Sequence, residues 1–355
     1  MKKEFLKNFI SWSSAFVCAF VVINLMCFVY NRDTAGVFRN GGALAFAYQP
    51  DTLIINNSEG NGWARVDKNG YLNESAELSD DGYILVLGNS MTNAVQVAPD
   101  EKYVSVLNSH LQEKYGDEKV RAYLMARGGA DFVELAQGYS AAVTEFPDAK
   151  AVVIQIIDGR VSMDSLDGVK EQREYKDSQK PDYILKNKSA NLFIRCFVKN
   201  YVPIVYFVLE KRLNNFTNPL NGVFIYRKSA SDVEYYTVSR DVKSEIAKLT
   251  ETLNFLNGLD DKKIIILNLP SENIKNNGEL SISNDGIDIW EQACLASGVR
   301  FVDMTDEWKG LYTDQNKLAF GFSNTSPANG HMNKYGHKAV GERLYKEIFE
   351  MSIFQ

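Results

Sequence analysis

The chain has 355 residues, 45% of them hydrophobic, 24% charged and 12% aromatic, and its formal net charge is −6. These values exclude a disordered chain, a collagen-like repeat and a small disulfide scaffold. The acidic balance speaks against a nucleic-acid partner, and the length fits one main domain with additions.

Residues 9–30, from Phe9 to Tyr30, contain no charge. A run of about twenty such residues is what a helix needs to cross about 30 Å of hydrocarbon. Lys2, Lys3 and Lys7 precede it, so the positive-inside bias predicts a cytoplasmic N-terminus (1–8) and an extracytoplasmic main domain, periplasmic or at the cell surface. A cleaved signal peptide has a shorter apolar region and a small-residue cleavage site, whereas this run ends in Phe28, Val29 and Tyr30, so an uncleaved single-pass anchor is expected. Cys18 and Cys27 lie inside it as small hydrophobes, and whether Cys196 pairs with Cys294 is open.

Residues 31–80 are rich in Asn, Gly, Asp and Ser, with a tight-turn signal at Asn69-Gly70, and read as a β-rich lead-in. The main domain is expected at 81–350. Its short apolar runs, Tyr83 to Leu87, Val120 to Met125, Ala151 to Ile157, Lys263 to Leu269 and Val299 to Met304, predict strands. Between and after them, Asp100 to Tyr115, Asp131 to Phe146, Val242 to Leu256, Asp285 to Ala296 and Lys334 to Phe349 have helical period. The fold class is therefore α/β: a doubly wound, flavodoxin-like parallel sheet with helices on both faces. Residues 159–241 interrupt the alternation. Arg195 and Lys199 would each cost about 2.5 to 3.5 kcal/mol at the centre of a second span, so an amphipathic insertion is expected there, with packing on the core favoured over the membrane surface or a partner.

Ligands of an open parallel sheet bind beyond the carboxyl ends of its strands, and the first strand ends in Gly88-Asn89-Ser90. A serine in that place is more often a turn or cap residue than a nucleophile. The histidine count raises it: of His110, His331 and His337, only His331 sits in a loop, just before the last helix, and is placed to act as a base. His337 reads as structural and His110 as a helix-surface or satisfied core residue. No His/Cys cluster has metal-ligand spacing, and no glycine-rich phosphate fingerprint is present, so no metal and no cofactor is expected.

The residues Val86-Leu-Gly-Asn-Ser-Met-Thr92, glycines at Gly128 and Gly129, Asp158-Gly159 after the third strand and His331-Met-Asn-Lys-Tyr-Gly-His337 together resemble the SGNH/GDSL hydrolase superfamily. The likeness is to its membrane-anchored, extracytoplasmic members, polysaccharide O-acetylesterases and O-acetyltransferases. It covers residues 60–160 and 260–350 in order. Val66-Asp-Lys-Asn-Gly-Tyr71 is similar to the family's lead-in.

The resemblance implies Ser90 as nucleophile, His331 as general base, and the N–H groups of Ser90 and Gly129 as oxyanion donors. Three positions depart from the pattern. Asn89 replaces the family's aspartate. Gln155 and Asp158 stand where an asparagine normally completes the oxyanion hole. Ala328 and Asn329 occupy the place of the carboxylate that orients the histidine; Asn329 is the candidate replacement, with Asp303 and Asp306 as alternatives that otherwise read as helix caps.

Two functions follow. The first is a membrane-anchored acyl-ester hydrolase or O-acyltransferase acting on an envelope or exported polysaccharide. Transfer would imply a multispanning acyl-donor membrane partner. The second is a catalytically silent subunit of the same fold that binds glycan or scaffolds an export complex.

Overall fold

Each apolar run read as a strand of the main domain lies in one five-stranded parallel sheet. The computed structural model describes residues 2–32, 43–48, 50–116, 119–175, 202–205, 241–283 and 285–354. Two units are distinguished: residues 1–35 with 187–240, and 36–186 with 241–355.

In the first unit, α1 (Lys2–Tyr30) contains the uncharged run. Its stretch Lys3–Tyr30, 28 residues or about 42 Å of helix, is long and apolar enough to cross a membrane. Of the apolar part of the insertion, residues 202–205 are described, and they belong with α1: the Ile204 N–H donates to Asn24 Oδ1 at 3.2 Å. The rest of that stretch lies outside the described residues, whereas Leu166 and Val169, near the start of the insertion, are buried in the α/β core. Cys196 lies outside the described residues, and Cys294 is a buried free thiol.

In the second unit the lead-in forms a hairpin of β1 (Leu53–Asn56) and β2 (Gly62–Arg65). The main sheet follows: β3 (Tyr83–Gly88), β4 (Ala122–Ala126), β5 (Ala149–Ile157), β6 (Lys263–Leu269), then β7 (Glu272–Ile274) and β8 (Leu280–Ile282) as a separate ribbon, and β9 (Arg300–Asp303). The sheet order is β9-β6-β5-β3-β4, with Leu87 beside both Met125 and Ile154. Consecutive strands on opposite sides of β3 are the doubly wound, flavodoxin-like arrangement, whose ligand crevice opens between β3 and β5.

The strands are apolar on both sides because both sides are covered. Leu85, Leu87, Val152, Ile154 and Ile266 face one core, under α4 (Phe132–Gln137), α5 (Tyr139–Glu145), α6 (Val242–Asn257) and α7 (Ile287–Ser297). Ile84, Val86, Val153, Ile265 and Val302 face the other, under α3 (Tyr103–Tyr115), α8 (Thr305–Gln315) and α9 (Lys334–Glu350). Phe132 to Glu145, expected as one helix, breaks at Gly138. A Cβ there would fall 2.3 Å from the Ala43 carbonyl oxygen, so the lead-in crosses where only glycine leaves room.

The lead-in is part of this unit rather than a separate domain. Buried Asp67 accepts from Tyr123 Oη at 2.7 Å, Asn73 Nδ2 at 2.9 Å and the Tyr71 N–H at 2.9 Å. Asn73 in turn accepts from the Leu124 N–H at 2.8 Å and donates to its carbonyl at 3.1 Å, pairing with the backbone of edge strand β4. Burial and the neighbouring Asp67 charge push the Tyr123 phenol well above its ordinary range, so it stays a donor.

Candidate functional site

Ser90 stands at the switch point of the sheet, as the first residue of α2 (Ser90–Asn93). The chain folds back there because a Cβ on Gly88 would lie 1.8 Å from Thr92 Oγ1. Asn89 caps α2, its Oδ1 accepting from the Met91 N–H at 3.0 Å. The Ser90 hydroxyl has no hydrogen-bond partner among the described residues and is half-buried. Gly129 follows β4 with φ +80 and open space where a Cβ would be. Neither its N–H nor that of Ser90 has an acceptor among the described residues.

His331 lies in the loop before α9. Gly321 N donates to its carbonyl at 3.1 Å, and Asn333, capping α9, ties this loop to the carbonyls of Leu318 and Gly321. Its side-chain partner is Glu59, from the turn of the β1–β2 hairpin. Glu59 Oε2 is 2.6 Å from His331 Nδ1, and Glu59 Oε1 accepts the backbone N–H of the same residue. An ionised carboxylate only accepts, so Nδ1 carries the proton and Nε2 presents its lone pair.

Two further residues hold this contact. Asn324 Oδ1 accepts from the Gly60 N–H at 2.9 Å, and its amide donates to the carbonyls of Asn57 and Gly60, both at 3.3 Å. Gly330 stands against Glu59; any Cβ there would lie 2.1 Å from Glu59 Oε1. The same turn reaches the segment following Ser90, since the Asn61 N–H donates to the Gln96 carbonyl at 3.2 Å. Thus Glu59, His331 and the segment following Ser90 converge on the carboxyl edge of the sheet. No hydrogen bond joins Ser90 to His331 among the described residues.

Several expected site residues take other places. Asn329 is exposed and its side chain makes no hydrogen bond among the described residues, so Glu59 holds the position expected of it. Gln155 is fully buried. Its Oε1 accepts from the Asn89 N–H and from Thr92 Oγ1, both at 3.2 Å, and its amide donates one N–H to the Ile156 carbonyl at 2.9 Å, so it braces the Ser90 turn from below. Asp158, also buried, accepts from the Ser271 N–H at 2.5 Å and its hydroxyl at 2.9 Å and pairs with Arg160 at 3.1 Å, which locks the β5 and β6 ends together. Asp303 accepts from Asn268 Nδ2 and the Thr305 N–H, and Asp306 pairs with Lys309 on the exposed first turn of α8, whose N-cap is Met304, so neither reaches His331 and Asp306 is not the cap expected of it.

His337 is structural, as expected. Its Nδ1 accepts from the Tyr103 N–H at 3.4 Å and its ring stacks on Tyr103. Burial first, then the charges of Lys102 and His331, push its pKa down to about 3, so it stays neutral.

No protein-family model matches the chain, and no curated protein matches it. Among solved structures it is similar to a lipase/acylhydrolase from Enterococcus faecalis, at 13% identity and a TM-score of 0.38, over 76% of this chain and 96% of that one. It is similar to an acetyl xylan esterase variant from Geobacillus stearothermophilus at 14% identity and TM-score 0.37, again over 76% and 96% of the two chains. A lipolytic protein of the G-D-S-L family from Veillonella parvula is similar at 11% identity and TM-score 0.32, over 76% of this chain and 98% of its own. The likeness is one of fold. At these identities none of the three says what this chain does, and the fold assignment stands on its own strand order.

Proposed function

We propose that the protein is an SGNH-type acyl-ester hydrolase whose third triad member is Glu59. The observation that carries this reading is the Glu59 carboxylate 2.6 Å from His331 Nδ1, because it supplies the carboxylate that the sequence around Asn329 lacks. Ser90 Oγ attacks the ester carbonyl carbon while His331 Nε2 takes its proton. The N–H groups of Ser90 and Gly129 receive the negative oxygen of the tetrahedral intermediate. Collapse breaks the bond to the alkoxide, which takes the proton from His331 and leaves the acyl group on Ser90. Water then attacks with His331 again as base, releasing the carboxylic acid and free serine. The absent Ser90–His331 hydrogen bond is compatible with this, since catalytic hydrogen bonds are often long without substrate and tighten in its presence.

The finer reading joins α1 to this chemistry: a single-pass anchor with a cytoplasmic N-terminus, an extracytoplasmic domain, and an O-acylated envelope or exported polysaccharide as substrate. A tether raises effective concentration only on a substrate held near the membrane. If a sugar hydroxyl outcompetes water for the acyl-enzyme, the same residues perform transfer, and a multispanning acyl donor becomes the partner. The silent-subunit reading retains one supporting observation, that the Asp158 carboxylate is held by Ser271 and Arg160 and Gln155 lies fully buried beneath the Ser90 turn, so no asparagine-like side chain completes the oxyanion hole there.

The test is labelling of the full chain in detergent with a serine-directed fluorophosphonate, beside Ser90→Ala, His331→Ala and Glu59→Gln. Labelling and p-nitrophenyl acetate turnover that vanish in the first two variants are expected. A folded wild type that labels no more than Ser90→Ala would leave the silent subunit as the better reading.

A further inference from the structure

The hairpin that carries Glu59 also carries an exposed aromatic side chain. Trp63 and Arg65 point to the outer face of β2, whereas Gly62 and Ala64 point inward. Trp63 is 49% exposed, although Trp290 and Trp308, the described unit's other tryptophans, are fully buried. A cleft of about 430 Å³ opens beside it, within the range typical of small-molecule sites. Arg65, Glu74, Asp100 and Lys102 line the cleft together with Trp63.

Several polar groups in this cleft have no hydrogen-bond partner among the described residues, although the Glu74 charge acts on the buried Lys102 ammonium. Arg65, Glu74 and Asp100 make no hydrogen bond or ion pair with any described residue, and the Trp63 indole N–H has no partner among them either. Lys102 is buried beneath them and donates to the Leu72 carbonyl at 3.2 Å. Two cationic and two anionic side chains balance, so the cleft fits an uncharged ligand rich in both donors and acceptors. A lipid surface fits poorly, because carboxylates would be desolvated against it. A pyranose ring fits: its C–H face packs on indole, and its vicinal hydroxyls accept hydrogen bonds from a guanidinium and donate to carboxylates.

We propose that Trp63, Arg65, Glu74 and Asp100 form a subsite for an uncharged pyranose unit of a polysaccharide, adjoining the Ser90–His331–Glu59 centre. This deepens the esterase reading and rests on it for the adjacent chemistry. Trp63 is four residues from Glu59, at most about 14 Å of chain, so the cleft lies within a few sugar units' length of the carboxylate that holds His331. The subsite would thus hold an unreacting part of the polymer and supply binding energy at a distance from the ester.

The experiment uses the full chain in lipid nanodiscs with Trp12→Phe and Ser90→Ala, which leaves Trp63 as the one exposed tryptophan. Xylohexaose and chitohexaose, each partly O-acetylated, are the probes, and iodide quenching of tryptophan fluorescence is the readout. At least one probe is expected to lower the iodide quenching constant threefold or more in a saturable way. With Ser90 restored, Trp63→Ala is expected to raise KM for that probe about tenfold with kcat within twofold, and Trp63→Tyr to recover most of the loss. Quenching unmoved by either probe would overturn the proposal, as would an unchanged KM in Trp63→Ala or quenching of Trp63 by brominated lipid. Because Ser90→Ala binds without turnover, saccharide protection with no esterase activity in the wild type would defeat the esterase reading and leave the subsite standing. Turnover without protection would do the reverse.

Discussion

A carboxylate on Nδ1 fixes one imidazole tautomer, and at His331 that tautomer leaves Nε2 basic. Glutamine at position 59 would donate its amide N–H to Nδ1 and force the proton onto Nε2. Glu59→Gln is therefore expected to lower kcat for p-nitrophenyl acetate by about 10³- to 10⁴-fold with little change in KM, the scale seen when a triad carboxylate becomes an amide. Asn329→Ala, by contrast, should stay within about twofold, and steady-state kinetics on the two variants side by side checks both. A second residue reports through stability. Glu272, buried on β7, accepts from the Phe320 N–H at 2.7 Å and has its other oxygen unpartnered; burial raises its pKa to about 7. The folded state thus keeps a proton that the unfolded chain releases above about pH 4.5, so stability falls as pH rises from about 4.5 to 7 and is not regained above it. Glu272→Gln removes that slope and retains the acceptor for Phe320. Urea unfolding at pH 5 and pH 8 should show the variant gaining on the wild type at the higher pH by an amount on the order of 3 kcal/mol at most.

The elements explain why that residue pattern was only half legible. The five strands of the sheet are readable because burial on both faces removes polar alternation, leaving apolar runs such as Lys263–Leu269 that need no partner to be recognised. Val120 was expected inside the second strand, but it forms an isolated bridge with Leu78 and the strand starts at Ala122. Helix α8 shows in the sequence only as a short helix around Glu307-Trp308 and runs further, to Gln315, because its buried side is narrow: Thr305, Trp308 and Leu311. Ser90 and His331 are local signals, one beside a glycine after a strand, the other before a helix. Glu59 is not, because its contact with His331 spans 272 positions and the residues around it, Ser58-Glu59-Gly60-Asn61, look like any polar turn. What identifies the turn in three dimensions is Asn324. Asn324→Ala should free the hairpin turn and lower kcat about tenfold or more. In combination with Glu59→Gln it should add almost nothing, a non-additivity that a double-mutant cycle measures directly. Gly330→Ala should act in the same way, by pushing the Glu59 carboxylate off His331.

Across the whole molecule, the helix α1 and the α/β unit perform separable tasks in the proposed function. Full-length protein is expected to stay with the membrane fraction through alkaline carbonate extraction, whereas a chain lacking residues 1–30 should appear in the soluble fraction and still turn over p-nitrophenyl acetate. The selectivity of the pair should differ: loss of the tether ought to reduce action on a membrane-held or wall-held polymer far more than on a freely diffusing ester. Sedimentation and paired activity assays on both forms provide the check.

The long sequence separation between Glu59 and His331 bears on how each new molecule comes to work. Contacts between distant parts of a chain close late, after local structure has formed. As the polypeptide emerges, the Ser90 turn can form long before residue 331 exists, so the hydroxyl passes through synthesis without the His331 ring beside the Glu59 turn. Restoration of turnover during refolding would therefore time the final closure of the N-terminal hairpin onto the C-terminal loop.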